Sequence, residues 1–387
     1  MTEKPMKVAV INRSFWPVYP VIGEALLRFA EAGVNQGRSV SVIMQDHAGI
    51  KGKLAEARRG EGIQFFPAKA FTNSASGVLL RTCDTLFFMF WVLVVLFWVR
   101  PNRVYVSTDP PVLVPFIVML YSRLFCAEYI YHLQDIHPEA ANVVIPVNKW
   151  VYRILIKMDV LSMRHAHCLA TITEHMATEI RSRSGTAVPI QVMDNPAVSF
   201  DGINTTKPKF AGFSFCGNAG RLQRIPLVLD AIETYFEQGG QLEFTFAGGG
   251  VYADDLRAFA ERFPNFHYLG LVSPTEAAQV NADYTWAILP IEDDVTRFAF
   301  PSKSSSYVFS GANILAVCGE QTAVAQWVQE NQVGLVIKPQ VEAVVAAFFN
   351  IENGLYQELS DNASREALKA NLRFEVFLQA LDRIVLE

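Results

Sequence analysis

From Lys7 onward the chain repeats one order: a short apolar run, a turn-rich loop, a helically spaced segment, then another apolar run. KVAVIN (7–12), SVSVIMQ (39–45), RVYVS (103–107), EYIYHL (128–133) and CLATITE (168–174) are such runs, and Ala25 to Gln36 shows the helical spacing between the first two. Runs that are apolar on both faces suit strands covered on both sides, and parallel strands need a crossover helix between them. The pattern therefore predicts an α/β fold with parallel sheets and excludes all-α and all-β architectures. A polar stretch at 197–212, with two glycines and a proline, interrupts the series. The same order then restarts with FSFC (213–216), EFTFA (243–247), FHYLGLVS (266–273), YTWAILP (284–290), ILAV (314–317) and VGLVIKP (333–339). We read two Rossmann-like, doubly wound domains, 1–196 and 213–387, with 197–212 as linker and a last helix free to pack back on the first domain.

The bulk numbers narrow the class. Half of the 387 residues are hydrophobic and 18% are charged, enough apolar matter for two cores and too little charge for disorder. The polar start MTEKPM runs straight into a strand pattern, so no secretory leader is read. Five cysteines stand far apart with no CxxC pair, which fits a reducing cytoplasm and argues against a disulfide framework or zinc site. Residues 1–190 hold 20 Lys and Arg against 14 Asp and Glu, and the remainder 13 against 24. A basic first half and an acidic second half point to different surroundings for the two domains. The basic residues form no aromatic-interleaved stripe, so no nucleic-acid partner is expected.

Thr85 to Val99, TLFFMFWVLVVLFWV, is the most apolar stretch. Fifteen helical residues cover about 22 Å, short of the roughly 30 Å of a bilayer core. Either a buried core helix or a helix with one face on the core and one in a membrane interface satisfies this composition, and Arg81, Arg100, Arg103 and Arg123 flank it.

Ligands of open α/β sheets bind beyond the carboxyl ends of the strands. In the first domain the loop RSFWPVYPVIGEA, carrying Tyr19 and Gly23, lacks a dinucleotide fingerprint and suits the lining of a cleft. HLQDIHPEA places His132, Asp135, His137 and Glu139 at one strand end, candidates for proton transfer or hydroxyl binding. Alternate strand residues face opposite ways, which argues against their converging on a metal. In the second domain three strand ends stand out: Gly217-Asn218-Ala219-Gly220-Arg221, Gly248-Gly249-Gly250, and Pro301-Ser302-Lys303. Glycines allow close backbone approach, free N–H groups bind phosphate oxygens, and Arg221 and Lys303 supply positive charge. A nucleoside diphosphate fits such a set. Without GxxxxGK[ST], NTPase or kinase chemistry is disfavoured.

The succession YHLQDIHPEAA, CGNAGRLQRIPLVLDA, TFAGGG, HYLGLVS and PSKSSSYVFSGANILAV resembles the retaining family 4 glycosyltransferases, and within them the bacterial branch that builds surface polysaccharides. The resemblance covers nearly the whole chain. It implies the GT-B fold, two Rossmann-like domains facing an interdomain cleft, with a nucleotide sugar held by the second and the acceptor by the first. It also implies diphosphate contacts at Gly217, Asn218, Gly248, Gly249 and Ser302, cationic phosphate binders at Lys303 and Arg221 with Arg224 as a substitute, and catalytic or acceptor groups among Asp135, His137 and Glu139. The Glu-x7-Glu pair of the wider family is absent: Phe298 and Ser306 stand in its place, and a serine bonds a hydroxyl without charge.

The function so implied is a metal- and cofactor-independent hexosyl transfer, with retention, from a nucleotide-diphosphate sugar to a saccharide acceptor carried on a polyprenyl-diphosphate lipid. The enzyme would work in the cytoplasm on the inner leaflet of the membrane. Two alternatives remain open from the residues, a nucleotide-sugar epimerase of the same fold and a non-catalytic nucleotide-sugar-binding or scaffold protein.

Overall fold

The computed structural model describes residues 5–19, 21–72, 78–144, 147–205, 207, 209–356 and 362–386. The chain divides into two compact units, one formed by residues up to Pro196 plus Phe374–Glu387, the other by Ala197–Arg373.

Unit 1 is built on seven parallel strands: β1 (Lys7–Ile11), β2 (Ser39–Asp46), β3 (Gln64–Lys69), β4 (Arg103–Ser107), β5 (Glu128–Leu133), β6 (Cys168–Thr171) and β7 (Ile190–Val192). Their order in the sheet is β3-β2-β1-β4-β5-β6-β7. The connections are helical: α1 (Ile22–Asn35), α2 (Ile50–Ala57), α3 (Val78–Val99), α4 (Leu113–Phe125), α5 (Glu139–Val144), α6 (Lys149–His165) and α7 (Glu174–Ser184). Strand β1 pairs with β2 on one side and β4 on the other, so the winding reverses between β1 and β4. At that reversal two loops diverge and leave a crevice for a ligand.

The apolar helix is longer than the sequence indicates. It starts at Val78 and runs for 22 residues, about 33 Å, through Arg81 and Asp84. Asp84 is buried because it faces inward, where its carboxylate accepts from Gln45 Nε2 (2.8 Å), Thr72 Oγ1 (2.6 Å) and the Phe71 amide (3.3 Å). A charge that looks like a helix boundary in the sequence is instead the polar rivet that holds α3 to the sheet.

Unit 2 repeats the plan with β8 (Phe210–Cys216), β9 (Glu243–Ala247), β10 (Phe266–Tyr268), β11 (Tyr284–Pro290), β12 (Asn313–Val317) and β13 (Gly334–Ile337), in the order β10-β9-β8-β11-β12-β13 and all parallel. Its helices are α8 (Ile225–Glu237), α9 (Ala253–Arg262), α10 (Pro274–Asp283), α11 (Lys303–Ser310), α12 (Ala323–Glu330), α13 (Val341–Glu352) and α14 (Asn362–Asn371). The first strand begins at Phe210, three residues inside the stretch read as linker. Its core is aromatic: Phe213 stacks on Phe244 at 5.1 Å and meets Phe348 edge-on at 4.9 Å. Ring pairs of this kind add to plain area burial and fix the α8–α13 layer against the sheet.

The closing helix α15 (Phe374–Leu386) belongs to unit 1, where Phe377, Leu381 and Val385 join the core with Leu26 and Phe29 of α1. Arg38 ties it further with an ion pair to Asp382 at 3.0 Å.

Candidate functional site

In unit 2 the reversal of strand order falls between β8 and β11, and the loops after β8, β9 and β10 meet beside it. Gly217, with φ 147°, lies so close to the next strand end that a Cβ on Gly248 would stand 1.9 Å from the Gly217 oxygen. A Cβ on Gly250 would stand 2.3 Å from the Ala219 oxygen. These glycines let two backbone loops touch. The loops are then zipped: Gly217 N donates to Ala247 O (2.9 Å), Ala219 N to Gly249 O (2.7 Å), and Gly248 N to Gly270 O (2.7 Å). The N–H groups of Gly217 and Gly248 are therefore not the free phosphate donors that the sequence suggests. What they supply is close approach.

The cation comes from α11. Lys303 opens that helix, Ser302 precedes it without a side-chain capping bond, and Gly311 in the left-handed region closes it. The Lys303 stem is partly exposed, but its Nζ is enclosed and has no hydrogen-bond partner among the described residues. It sits 3.9 Å from the centre of the Phe215 ring and so close to Gly217 that a Cβ there would be 3.2 Å away. Burial holds its pKa at about 7, below its ordinary 10.5, with the Cys216 thiol the only opposing influence. An amino group without a partner, at a glycine-lined strand end, is poised for an anion.

The other positively charged candidates part company. Arg221 is exposed in a short turn at 221–223, beside exposed Asn218. Arg224 is engaged: it meets Asp293 Oδ1 at 2.9 Å and Glu292 Oε2 at 3.0 Å, and donates to Ile291 O at 2.8 Å. Asp293 in turn accepts from the Gly319 amide. Arg224 thus pins the loop after β11 and is withdrawn from the role of substitute phosphate binder. Ser306 is buried on the inward face of α11, where its Oγ accepts from Val198 N at 3.5 Å. Gly249 lies against Leu271, whose side chain is 86% exposed.

In unit 1 the reversal between β1 and β4 gathers a second cluster that the residue pattern did not single out. Arg13, just past β1, donates from Nε to Asp109 Oδ1 (3.0 Å), and the Ser14 amide donates to Asp109 Oδ2 (2.7 Å). Asn12 and Ser107 bond each other beneath them. Neither Arg13 nor Asp109 belongs to a motif; only the strand order makes them neighbours. Asp135 lies at the end of the adjacent β5, with His137 Nε2 4.0 Å from its carboxylate. Crowding by neighbouring atoms, and then the charge of Asp109, push Asp135 up to about 6. Its side chain nevertheless keeps 47% of its surface in solvent, so it is an accessible acid and not a sealed one. Burial pulls His137 down to about 4, which keeps it neutral.

Glu139 goes elsewhere. It forms an ion pair with Arg183 Nε at 2.6 Å, while Arg183 Nη1 donates to Asp159 and Nη2 to the His137 carbonyl, both at 2.7 Å. Tyr131 completes the group by donating to Asp159 at 2.6 Å. Glu139 is thus a structural anion that braces the 135–139 loop, not a third member of an open catalytic set. His132 is sealed in the core against the Tyr105 hydroxyl at 2.6 Å. Gly23 is where α1 begins: a Cβ there would fall 2.4 Å from Trp16 N, so only glycine lets the loop carrying exposed Tyr19 fold back. Among the described residues no group of three or more His, Cys, Asp and Glu is arranged to hold a metal.

Comparison with solved structures decides the architecture. The chain superposes on sucrose-phosphate synthase from Thermosynechococcus elongatus with a TM-score of 0.74 and 10% identity, over 98% of each chain. It is also similar to Anabaena Alr3699/HepE, solved in complex with UDP-glucose, with a TM-score of 0.65 and 13% identity over 98% of this chain and 99% of that one. This is the GT-B fold. Within it, unit 2 carries the Lys303 site and unit 1 the Arg13–Asp109–Asp135 cluster. By sequence the chain is similar to the probable glycosyltransferase WbjE of Pseudomonas aeruginosa, 24% identical over 265 residues. That alignment covers 64% of this chain and 65% of the relative. No family model matches the chain.

Proposed function

We propose that the protein is a glycosyltransferase that moves a sugar from a nucleotide-diphosphate donor to a saccharide acceptor in bacterial surface-polysaccharide synthesis. The observation that carries the reading is the enclosed, unpartnered Lys303 amino group beside the Gly217 and Gly248 strand ends. A diphosphate oxygen supplies the partner it lacks, and the ammonium then stabilises the charge that grows on the leaving diphosphate as the glycosidic bond breaks. Exposed Asn218 follows Gly217, exposed Ser302 precedes Lys303 and exposed Arg221 lies in the turn at 221–223; in this reading they complete the anion's surroundings. The UDP-glucose held by the HepE structure and the similarity to WbjE support a nucleotide sugar as donor.

Asp135 is the group assigned to the acceptor. It is ionised near neutral pH, accessible, and flanked by neutral His137, so it orients the acceptor hydroxyl and accepts its proton. The leaving diphosphate is the other available base. The reaction in this reading is hexosyl transfer with retention of configuration, needs no metal ion, and takes place in the cytoplasm on a polyprenyl-diphosphate-linked acceptor.

Incubating the protein with a panel of nucleotide sugars, a lipid extract from polysaccharide-producing bacteria and a chelator tests this. Transfer to a lipid-soluble product with the donor's anomeric configuration is expected. A free sugar epimer without acceptor would replace the reading with an epimerase, and tight donor binding without transfer to any acceptor would make the protein a binding module.

A further inference from the structure

Helices α3, α4 and α6 connect consecutive parallel strands and lie side by side on one face of the unit 1 sheet. Their inner faces are core: Phe88, Val92 and Leu96 of α3 are fully buried, at the spacing of one helical stripe. Their outer faces are apolar as well. On α3, Phe90 is 61% and Trp98 83% exposed; on α4, Leu124 is 65% exposed; on α6, Trp150 is 73% and Ile154 57% exposed. Single exposed hydrophobics are ordinary, but a three-helix layer of them marks an interaction surface.

The charges on this layer have one sign. The only acid on α3 is Asp84 and the only acid on α6 is Asp159; both are buried and hydrogen-bonded inward, and α4 has none. The outward charges are cations: Arg123 on α4, and Lys149, Arg153, Lys157 and Arg164 on α6. Arg100, just past α3, spreads over the Phe125 ring, and Arg153 over Trp150. Aromatic and aliphatic side chains interleaved with Arg and Lys, and no exposed acid, match a bilayer interface: rings at headgroup depth, cations on anionic headgroups.

By length and composition Leu80–Val99 could also cross a membrane. Its buried stripe and the three hydrogen bonds to Asp84 hold it to the sheet, so it presents one side only. We infer that the α3–α4–α6 face of unit 1 docks flat on an anionic lipid surface, with the helices parallel to it and none spanning. All three helices run from the carboxyl edge of the sheet, which bears Asp109 and Asp135, back to its amino edge, so docking along their length brings both edges to the surface. This extends the lipid-linked acceptor reading, but it rests on residues outside the donor site.

Flotation of the full chain with phosphatidylcholine vesicles, with and without phosphatidylglycerol, tests it directly. We expect binding that requires phosphatidylglycerol and weakens with salt. Both Trp98→Glu with Trp150→Glu and Arg123→Glu with Arg153→Glu should lower partitioning tenfold or more, with unchanged melting and unchanged thermal shift by UDP. No flotation of the wild type, or equal flotation of the variants, would overturn the inference. So would a dimer in sedimentation that the tryptophan variant dissolves while vesicles are ignored. Loss of UDP binding with vesicle binding intact would instead strike the donor reading alone.

Discussion

Lys303 carries a cost when no ligand is bound. Its amino group titrates at about 7 in the folded chain and near its ordinary 10.5 in the unfolded one, so between those values the unfolded chain holds more protons. Stability therefore rises with pH across that window, and the full penalty applies below it. Lys303→Met should stabilise the free protein at pH 7 and below, by on the order of a few kcal/mol at most, and so raise its melting temperature, while abolishing its shift by nucleotide sugars. Calorimetry on both proteins across the pH range checks this; a destabilised variant would mean that the lysine is satisfied in the free protein. Asp135 gives the complementary pH effect. Its carboxyl is raised from 3.8 to about 6, and a base works only when ionised, so transfer should fall as pH drops through about 6. Asp135→Asn should cost on the order of 10²–10⁴ in turnover and remove that acid limb from the profile. An unchanged rate would leave the leaving diphosphate as the base.

At the scale of elements, the alternation of strands and helices was legible because apolar runs and helical spacing are local properties. What the sequence could not show is which polar atoms were already taken. Arg224 and Glu139 look as available as Lys303 and Asp135, yet Arg224 holds the β11 loop and Glu139 holds Arg183. Gly217 and Gly248 were recognisable as special, but their N–H groups turn inward to neighbouring strand ends. Arg13 and Asp109 carry no local sequence signal, since they meet only through strand order. The reach of α3 is hidden in the same way: Asp84 reads as an interruption in the sequence, and only its three donors make it an inward-facing residue of the helix. Two substitutions test these assignments. Gly248→Ala adds a Cβ 1.9 Å from the Gly217 oxygen at a φ of 131°, so it should separate the two loops and cost more than 4 kcal/mol, roughly; a wild-type melting curve would refute the close approach. Arg183→Met leaves Glu139 and Asp159 facing each other unpaired, and should cost about 3–5 kcal/mol, measured by urea unfolding.

The whole molecule is one chain that enters unit 2 at Ala197 and returns to unit 1 at Phe374. The return supplies Phe377, Leu381 and Val385 to the unit 1 core, so unit 1 is complete only after the last helix has been made. The division of labour proposed here assigns the donor to unit 2 and the acceptor with its lipid surface to unit 1. The uneven charge of the two halves is in keeping with that proposal: the basic half carries the exposed apolar helices α3, α4 and α6, and the acidic half encloses the Lys303 amino group. Titration of UDP into the wild type and into Lys303→Ala by calorimetry is the most direct measurement of this account. Saturable binding that the substitution weakens by about 10²-fold or more, with proton uptake at and above pH 7 as the lysine is recharged, is the predicted result. Equal binding by the two proteins, or no binding by the wild type, would contradict it.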